Sequence, residues 1–209
     1  MNTALAEIID SVLASARDGV APIVTAGDPT LRIPAQPFDF GLPPAVLDEL
    51  IDVMRTTMYD APGVGLAAPQ IGIPMSLAVI EDTYPVDSYV AEVRGRTPQP
   101  FRVLIDPSYT PIDGTRSFYE GCLSVPGYQA VVTRHASVRL DHLDRSGRTV
   151  SERFDGWPAR IVQHETDHLS GILYLDRADM RSFAANDTYE RLWNDATPEK
   201  AAAALTFEL

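Results

Sequence analysis

The sequence predicts an α+β fold, with small antiparallel sheets packed around a central helix that carries a His-Glu-x-x-His motif. Three observations predict it. Apolar residues recur at helical spacing over residues 43–58, short β-type runs bounded by turn residues follow, and a second helical stretch at 157–169 holds the motif. Helices repeat every 3.6 residues and strands every two, so the two patterns can be told apart. The chain has 209 residues, enough for one sizeable core. Without an internal repeat or a linker, residues 1–209 read as a single domain.

The elements follow in order. Residues 1–20 read as an N-terminal extension. They carry Glu7 and Asp10 and lack early basic residues, which makes a poor signal peptide. Leu5, Ile8, Ile9, Val12 and Leu13 instead share one side of a short amphipathic helix. Pro43-Pro44 opens a helix to about Met58, with Leu47, Leu50, Ile51, Met54 and Met58 spaced as core residues. Strands are predicted at Met75 to Ile80 and at Phe101 to Ile105. Residues 81–100 between them read as an insertion, and the three prolines within 83–100 suggest a mobile loop or flap. Val138 to Leu143 partly fits period two, Asp144-Arg145-Ser146-Gly147 marks a turn, and Thr149 to Phe154 returns. His135 and His142 fall on this β-type segment, outside any ligand spacing, and read as satisfied strand histidines. Trp157 to Leu169 is helical. Pro158 suits the first turn, and Gly171 after Ser170 suits the left-handed conformation of a helix end. Residues 181–209 read as a C-terminal tail.

The motif is His164-Glu165-Thr166-Asp167-His168. On a helix, positions i and i+4 share a face, so both imidazoles can grip one metal ion. Glu165 lies next to them and can handle the proton of an activated water. A catalytic metal needs a third protein ligand. The spacing that would place a histidine further on has Gly171 but ends at Tyr174, so that option fails. Glu190 sits about twenty residues on, where another peptidase class takes a glutamate. Cys122, the one cysteine, is the other candidate. It lies in Glu120-Gly121-Cys122-Leu123-Ser124-Val125-Pro126-Gly127, just after the apparent strand end Phe118-Tyr119. A thiolate with two imidazoles suits Zn²⁺ or Fe²⁺. Both candidates stay open on the residues alone.

A third segment runs Gly63-Val64-Gly65-Leu66-Ala67-Ala68-Pro69-Gln70-Ile71-Gly72. It has neither a Lys-Ser/Thr ending nor GxGxxG spacing, so it is not a phosphate loop. Small residues in a row let a substrate chain lie against backbone. Gln70 is the side chain in this run with polar donors.

Together, GVGLAAPQIG, EGCLSVPG and QHETDHLSG, in that order, closely resemble the three motifs of the peptide deformylase family. The resemblance spans roughly residues 22 to 180. It implies that Cys122, His164 and His168 bind the metal and that Glu165 is the general acid/base. It further implies that Gln70 and the Leu123 backbone N–H hold the oxyanion, and that Val64, Gly65 and Gly121 offer backbone groups to an extended peptide. Trp157 and Ile161 are candidate contacts in the side-chain pocket. The implied activity is hydrolysis of the formyl group from N-formylmethionyl nascent peptides, releasing formate, with transient action at the ribosome. Fe²⁺ is the implied cofactor, although Zn²⁺, Ni²⁺ and Co²⁺ can bind the same N/S donors. The chain departs from many relatives at Gln129, where they carry arginine, and at Trp157 and Arg160, where they carry aliphatic residues.

Composition fits this reading. Net charge is −12, from 29 acids and 17 bases, which disfavours a general nucleic-acid binder. Residues 198–209 hold one base and two acids, unlike a basic ribosome-docking helix. No apolar run reaches the ~20 residues of a membrane span. One unpaired cysteine suits a reducing cytoplasm. Two rival readings remain at this point: a peptidase with Glu190 as third ligand, and a non-catalytic metal-binding relative. The presence of both Glu165 and Gln70 argues against the second.

Overall fold

A computed structural model describes residues 3–209. Helix α1 (Thr3–Ser15) leads through an irregular segment to helix α2 (Pro44–Asp60). A short strand β1 (Gly65–Ala67) and a 3-10 turn (Ala68–Ile71) follow, then β2 (Leu77–Asp82) and helix α3 (Ser88–Arg94). Next come β3 (Gln99–Cys122), β4 (Val125–Leu143), β5 (Thr149–Asp155) and helix α4 (Gly156–Leu169). Strand β6 (Ala178–Ala185) and helices α5 (Asn186–Leu192) and α6 (Glu199–Leu205) complete the chain.

The six strands pair antiparallel, in the order β1-β2-β3-β4-β5, with β6 added to β4. The strands expected as separate short runs belong to a continuous ladder. Strand β3 is 24 residues long and β4 is 19, because the hairpin extends from Ile105↔Leu143 to Cys122↔Val125. Register shifts at Ile105/Ser108 and Pro111/Asp113 interrupt the ladder, which is why no clean period two is readable there. Strand β4 changes partner along its length. Tyr128 to Val132 pairs with β6, and Ser137 to Leu143 pairs with β5.

Two apolar cores position the site. Leu47, Leu50, Ile51, Met54 and Met58 of α2 are buried, as their spacing predicts, in a cluster that also takes Leu5 and Ile9 of α1. Each such side chain contributes about 1.5–3 kcal/mol relative to exposure. The N-terminal extension is therefore part of this core. The second core lies under α4, where Ala159, Ile161, Val162 and Leu169 pack on Ile80, Leu104, Val138, Leu140 and Phe154. Helix α4 is buried nearly all round, including Arg160, Gln163, Glu165, Thr166, Asp167 and His168. It ends at Ser170, and Gly171 is left-handed at φ 74°.

Two expectations change. Residues 81–100 contain helix α3 rather than only an irregular loop, with Asp87 capping it through its side chain. The stretch 181–209, read as a C-terminal tail, is folded. It holds the end of β6, α5 and α6, and Tyr189, Ala201, Trp193 and Leu205 pack with Tyr119 and Val131. Both segments are polar and proline-bearing in sequence, so their short helices depend on caps and docking more than on a long periodic pattern.

Candidate active site

Helix α4 places the two motif histidines one turn apart, with ring centroids 4.9 Å from each other. The β3–β4 hairpin brings Cys122 to them, and its Sγ lies 3.2 Å from His168 Nε2. The donor atoms of Cys122, His164 and His168 all lie within 4.8 Å of one another. His164 Nδ1 is 3.1 Å from Glu120 Oε2, which leaves the other ring nitrogen for the thiol side. Burial alone would lower the His164 imidazole, but hydrogen bonds to Cys122 and Glu120 raise it to about 10. Burial, with His164 and Arg134 nearby, holds His168 well below the usual range, so it is a neutral donor. His168 Nδ1 is buried without a partner among the described residues. A sulfur and two imidazoles, converging and largely buried, fit one divalent metal ion.

Glu165 lies beside this cluster, 4 % exposed. Its place depends on Gly65: a Cβ there would come within 2.2 Å of Glu165 Oε1. Burial pushes the Glu165 carboxyl up to about 7, against the pull of His164 and Arg134. Its Oε2 has no hydrogen-bond partner among the described residues. A carboxyl that exchanges protons near neutrality suits general acid–base work. Gln70 is held in the 3-10 turn after β1, where its Oε1 accepts from the Ala67 N–H at 2.8 Å. That bond turns Nε2 toward the cluster, 3.3 Å from Ser124 Oγ and 3.7 Å from Cys122 Sγ. Leu123 lies between β3 and β4, next to Cys122, and lines the same cavity.

A buried ionic network holds these groups. Glu120 binds Arg134 at 2.6 and 3.0 Å, and it also binds Arg160. Arg134 continues to Asp167 at 2.8 Å, and Asp167 binds Arg177. Burial would raise the Glu120 carboxyl, yet Arg134 and Arg160 hold it well below the usual carboxylate range. Sequence reasoning did not single out Glu120. The signal was present, because residues two apart on a strand share a face and Glu120 stands two before Cys122.

The cluster opens into a cavity of about 540 Å³. Val64, Gly65, Gln70, Gly121, Cys122, Leu123, Trp157, Arg160, Ile161, His164 and Glu165 all line it. The pairings give β1 only β2 as a neighbour, and give Tyr119 to Cys122 of β3 only β4. Each therefore presents an unpaired edge. The Val64 carbonyl already accepts from the Glu81 N–H at 3.0 Å. Arg94, Tyr128, Gln129, Asn186 and Tyr189 add to the lining, three of them from the segments read as insertion and tail. Gln129 Nε2 lies 3.4 Å from Asn186 Oδ1. His135 and His142 stand on β4 away from the cluster, and His142 is satisfied by the Leu143 carbonyl and Glu152.

Glu190 is not brought to the histidines. It is exposed on α5 and accepts from Asn194 Nδ2 at 2.6 Å. The neighbouring Tyr189 faces inward instead. The peptidase alternative with Glu190 as third ligand is therefore corrected to the Cys122 arrangement.

An α+β body with a Cys-His-His cluster, an adjacent protonatable glutamate and an open cleft defines a metal-dependent hydrolase. Comparison with known proteins narrows this. The polypeptide deformylase family matches residues 20–184. Peptide deformylase 1 of Streptomyces coelicolor is 57% identical over 206 residues, covering 98% of this chain and 94% of that one. A peptide deformylase of Bifidobacterium adolescentis is 48% identical over 205 residues, covering 97% and 94%. Among solved structures, a class I type b peptide deformylase from Acinetobacter baumannii with Met-Ala-Ser bound matches with TM-score 0.68 and 34% identity. That match covers 76% of this chain and 98% of that one. The chain belongs to the polypeptide deformylase family, and it is a metal-dependent enzyme that removes the N-terminal formyl group from polypeptides.

Proposed function

We propose that the substrate is the formyl-methionyl end of newly made chains and that the residues divide the work as follows. Cys122, His164 and His168 hold one divalent metal, which in the cell is Fe²⁺, with Zn²⁺, Ni²⁺ or Co²⁺ able to substitute. When bound there, the metal would supply Lewis acidity for water activation and for the developing oxyanion. Glu165 accepts the proton of the attacking water and later delivers it to the leaving amine. The Gln70 side chain and the Leu123 N–H are aimed at the oxygen where charge develops, and each such donor can be worth ~3 kcal/mol in the transition state. The unpaired edges at Gly65 and Gly121 receive the peptide backbone in extended form, beside Val64, whose carbonyl is already paired with Glu81. Trp157 and Ile161 face the side chain of the first residue.

The observation that carries this reading is the placement of Glu165 Oε2, buried and unpartnered, beside three converging metal donors. We read the chain as one domain, since α1 buries into the core that holds Leu66, Ala68 and Ile71 of the first motif, and the C-terminal helices bury against Tyr119 and Val131 of the β3–β4 hairpin. Action is transient at the ribosome and cytoplasmic, in keeping with the lone cysteine. No helix among the described residues is long and apolar enough to cross a membrane. The test is formate release from formyl-Met-Ala beside a casein digestion. Formate without casein cleavage is expected. Casein cleavage without formate would overturn the reading.

A further inference from the structure

The cavity wall at Trp157 is built partly by residues outside the three motifs. Trp157 and Phe118 meet edge to face, with centroids 6.0 Å apart. The Arg94 guanidinium stands over both rings, 5.2 Å from the Trp157 centroid and 5.7 Å from that of Phe118. Arg94 is the last residue of α3, and it lines the cavity itself. Its Nη2 donates to the Asp195 carbonyl at 3.0 Å and its Nε to the Ala196 carbonyl at 3.1 Å. One side chain thus joins α3, the aromatic wall and the segment before α6.

The backbone fixes the same junction. Gly95 ends α3 in the left-handed region at φ 58°, and its carbonyl accepts from the Trp157 N–H at 3.2 Å. The approach is so close that a Cβ on Gly156 would lie 2.5 Å from that carbonyl oxygen. The neighbouring arginines have carboxylate partners: Arg96 binds Asp82, and Arg160 binds Glu120. Arg160 also stands over both rings, 5.1 Å from the Phe118 centroid and 5.7 Å from that of Trp157, but its charge is met by Glu120, whereas among the described residues Arg94 bonds carbonyls alone.

We propose that Arg94 is a specificity-determining positioning residue, which holds Trp157, backed by Phe118, against the first side chain of the substrate. This rests on the deformylase reading, in which that wall faces the methionine. A firm aromatic surface suits a polarisable thioether. An alanine side chain is too short to reach the wall.

Steady-state kinetics on the full-length metal-loaded enzyme test this with formyl-Met-Ala and formyl-Ala-Ala. Arg94→Ala is expected to raise KM for formyl-Met-Ala about fivefold, with kcat within about twofold and formyl-Ala-Ala kinetics unchanged. Arg94→Lys should fall between, since it keeps the charge but not the double carbonyl bond. In a Trp157→Leu background the Arg94→Ala effect should disappear. Thermal unfolding monitors each variant. Should Arg94→Ala fold poorly, Arg94→Lys carries the test, and it must raise KM for the methionine peptide alone. Unchanged KM, equal changes for the two peptides, or full additivity with Trp157→Leu would overturn the proposal. Absence of formate release by the unaltered enzyme would instead overturn the function on which it rests.

Discussion

The metal end of the cleft and its outer rim are built differently. At the metal end, Glu120 is fixed by Arg134 and Arg160, and Asp167 by Arg134 and Arg177, all at hydrogen-bond distance. Glu120, Arg134 and Arg160 are each more than nine-tenths buried. At the rim, Gln129 touches Asn186 at 3.4 Å, and exposed Tyr128 stacks on Phe183 at 4.9 Å. The groups around Cys122, His164 and His168 are thus held by several partners each, while the outer surface of the cleft has few and exposed contacts. A buried donor needs fixed partners because an error of position is costly there.

Substitutions can break this contrast, starting where the effect is greatest. Glu165→Gln should retain the metal and lose at least ~100-fold in turnover, with metal content and formate release measured on one sample. Near-normal turnover would remove Glu165 from the proton path. Gln70→Ala should lower kcat by about 100-fold and move KM far less, because charge on the formyl oxygen develops mainly in the transition state. A change confined to KM would make Gln70 a binding residue. Glu120→Gln should weaken metal affinity by roughly 10–100-fold, since His164 loses the carboxylate that orients it. The same change leaves two buried guanidiniums undercompensated, at a cost of about 3–5 kcal/mol in unfolding free energy. Chelator competition and urea unfolding read the two effects separately, and unaltered metal affinity would detach Glu120 from the site. At the rim, Gln129→Ala should change stability by no more than about 0.5 kcal/mol and KM by no more than about twofold. A tenfold rise in KM would show that the rim holds substrate as firmly as the metal end.

The same division explains what was legible in the sequence. His164, Glu165 and His168 form a local helical pattern, so their face and neighbours follow from periodicity. Cys122 and Gln70 lie far from them in sequence, and spacing alone left Cys122 and Glu190 as rival ligands. The β3–β4 hairpin brings Cys122, and not Glu190, to the histidines, a placement that no local spacing encodes. Helix α2 was readable from its apolar stripe, whereas α3, α5 and α6 have seven residues each and little periodicity. Arg94 and Asn186 reach the cleft only through tertiary docking, which no local pattern encodes. Glu120 was readable in principle, two positions before Cys122 on one strand face.

In the proposed site Cys122, rather than Glu190, completes the metal ligands. Loading with Co²⁺ tests it directly, because a thiolate ligand gives a sulfur-to-metal charge-transfer absorption that a carboxylate does not. Elemental analysis and formate release are measured on the same samples. The expected result is one metal per chain with the thiolate band in the unaltered enzyme and in Glu190→Ala. Cys122→Ala should lose the band, bind metal weakly and release no formate. A Cys122→Ala protein that keeps one tightly bound metal and full activity would contradict the account.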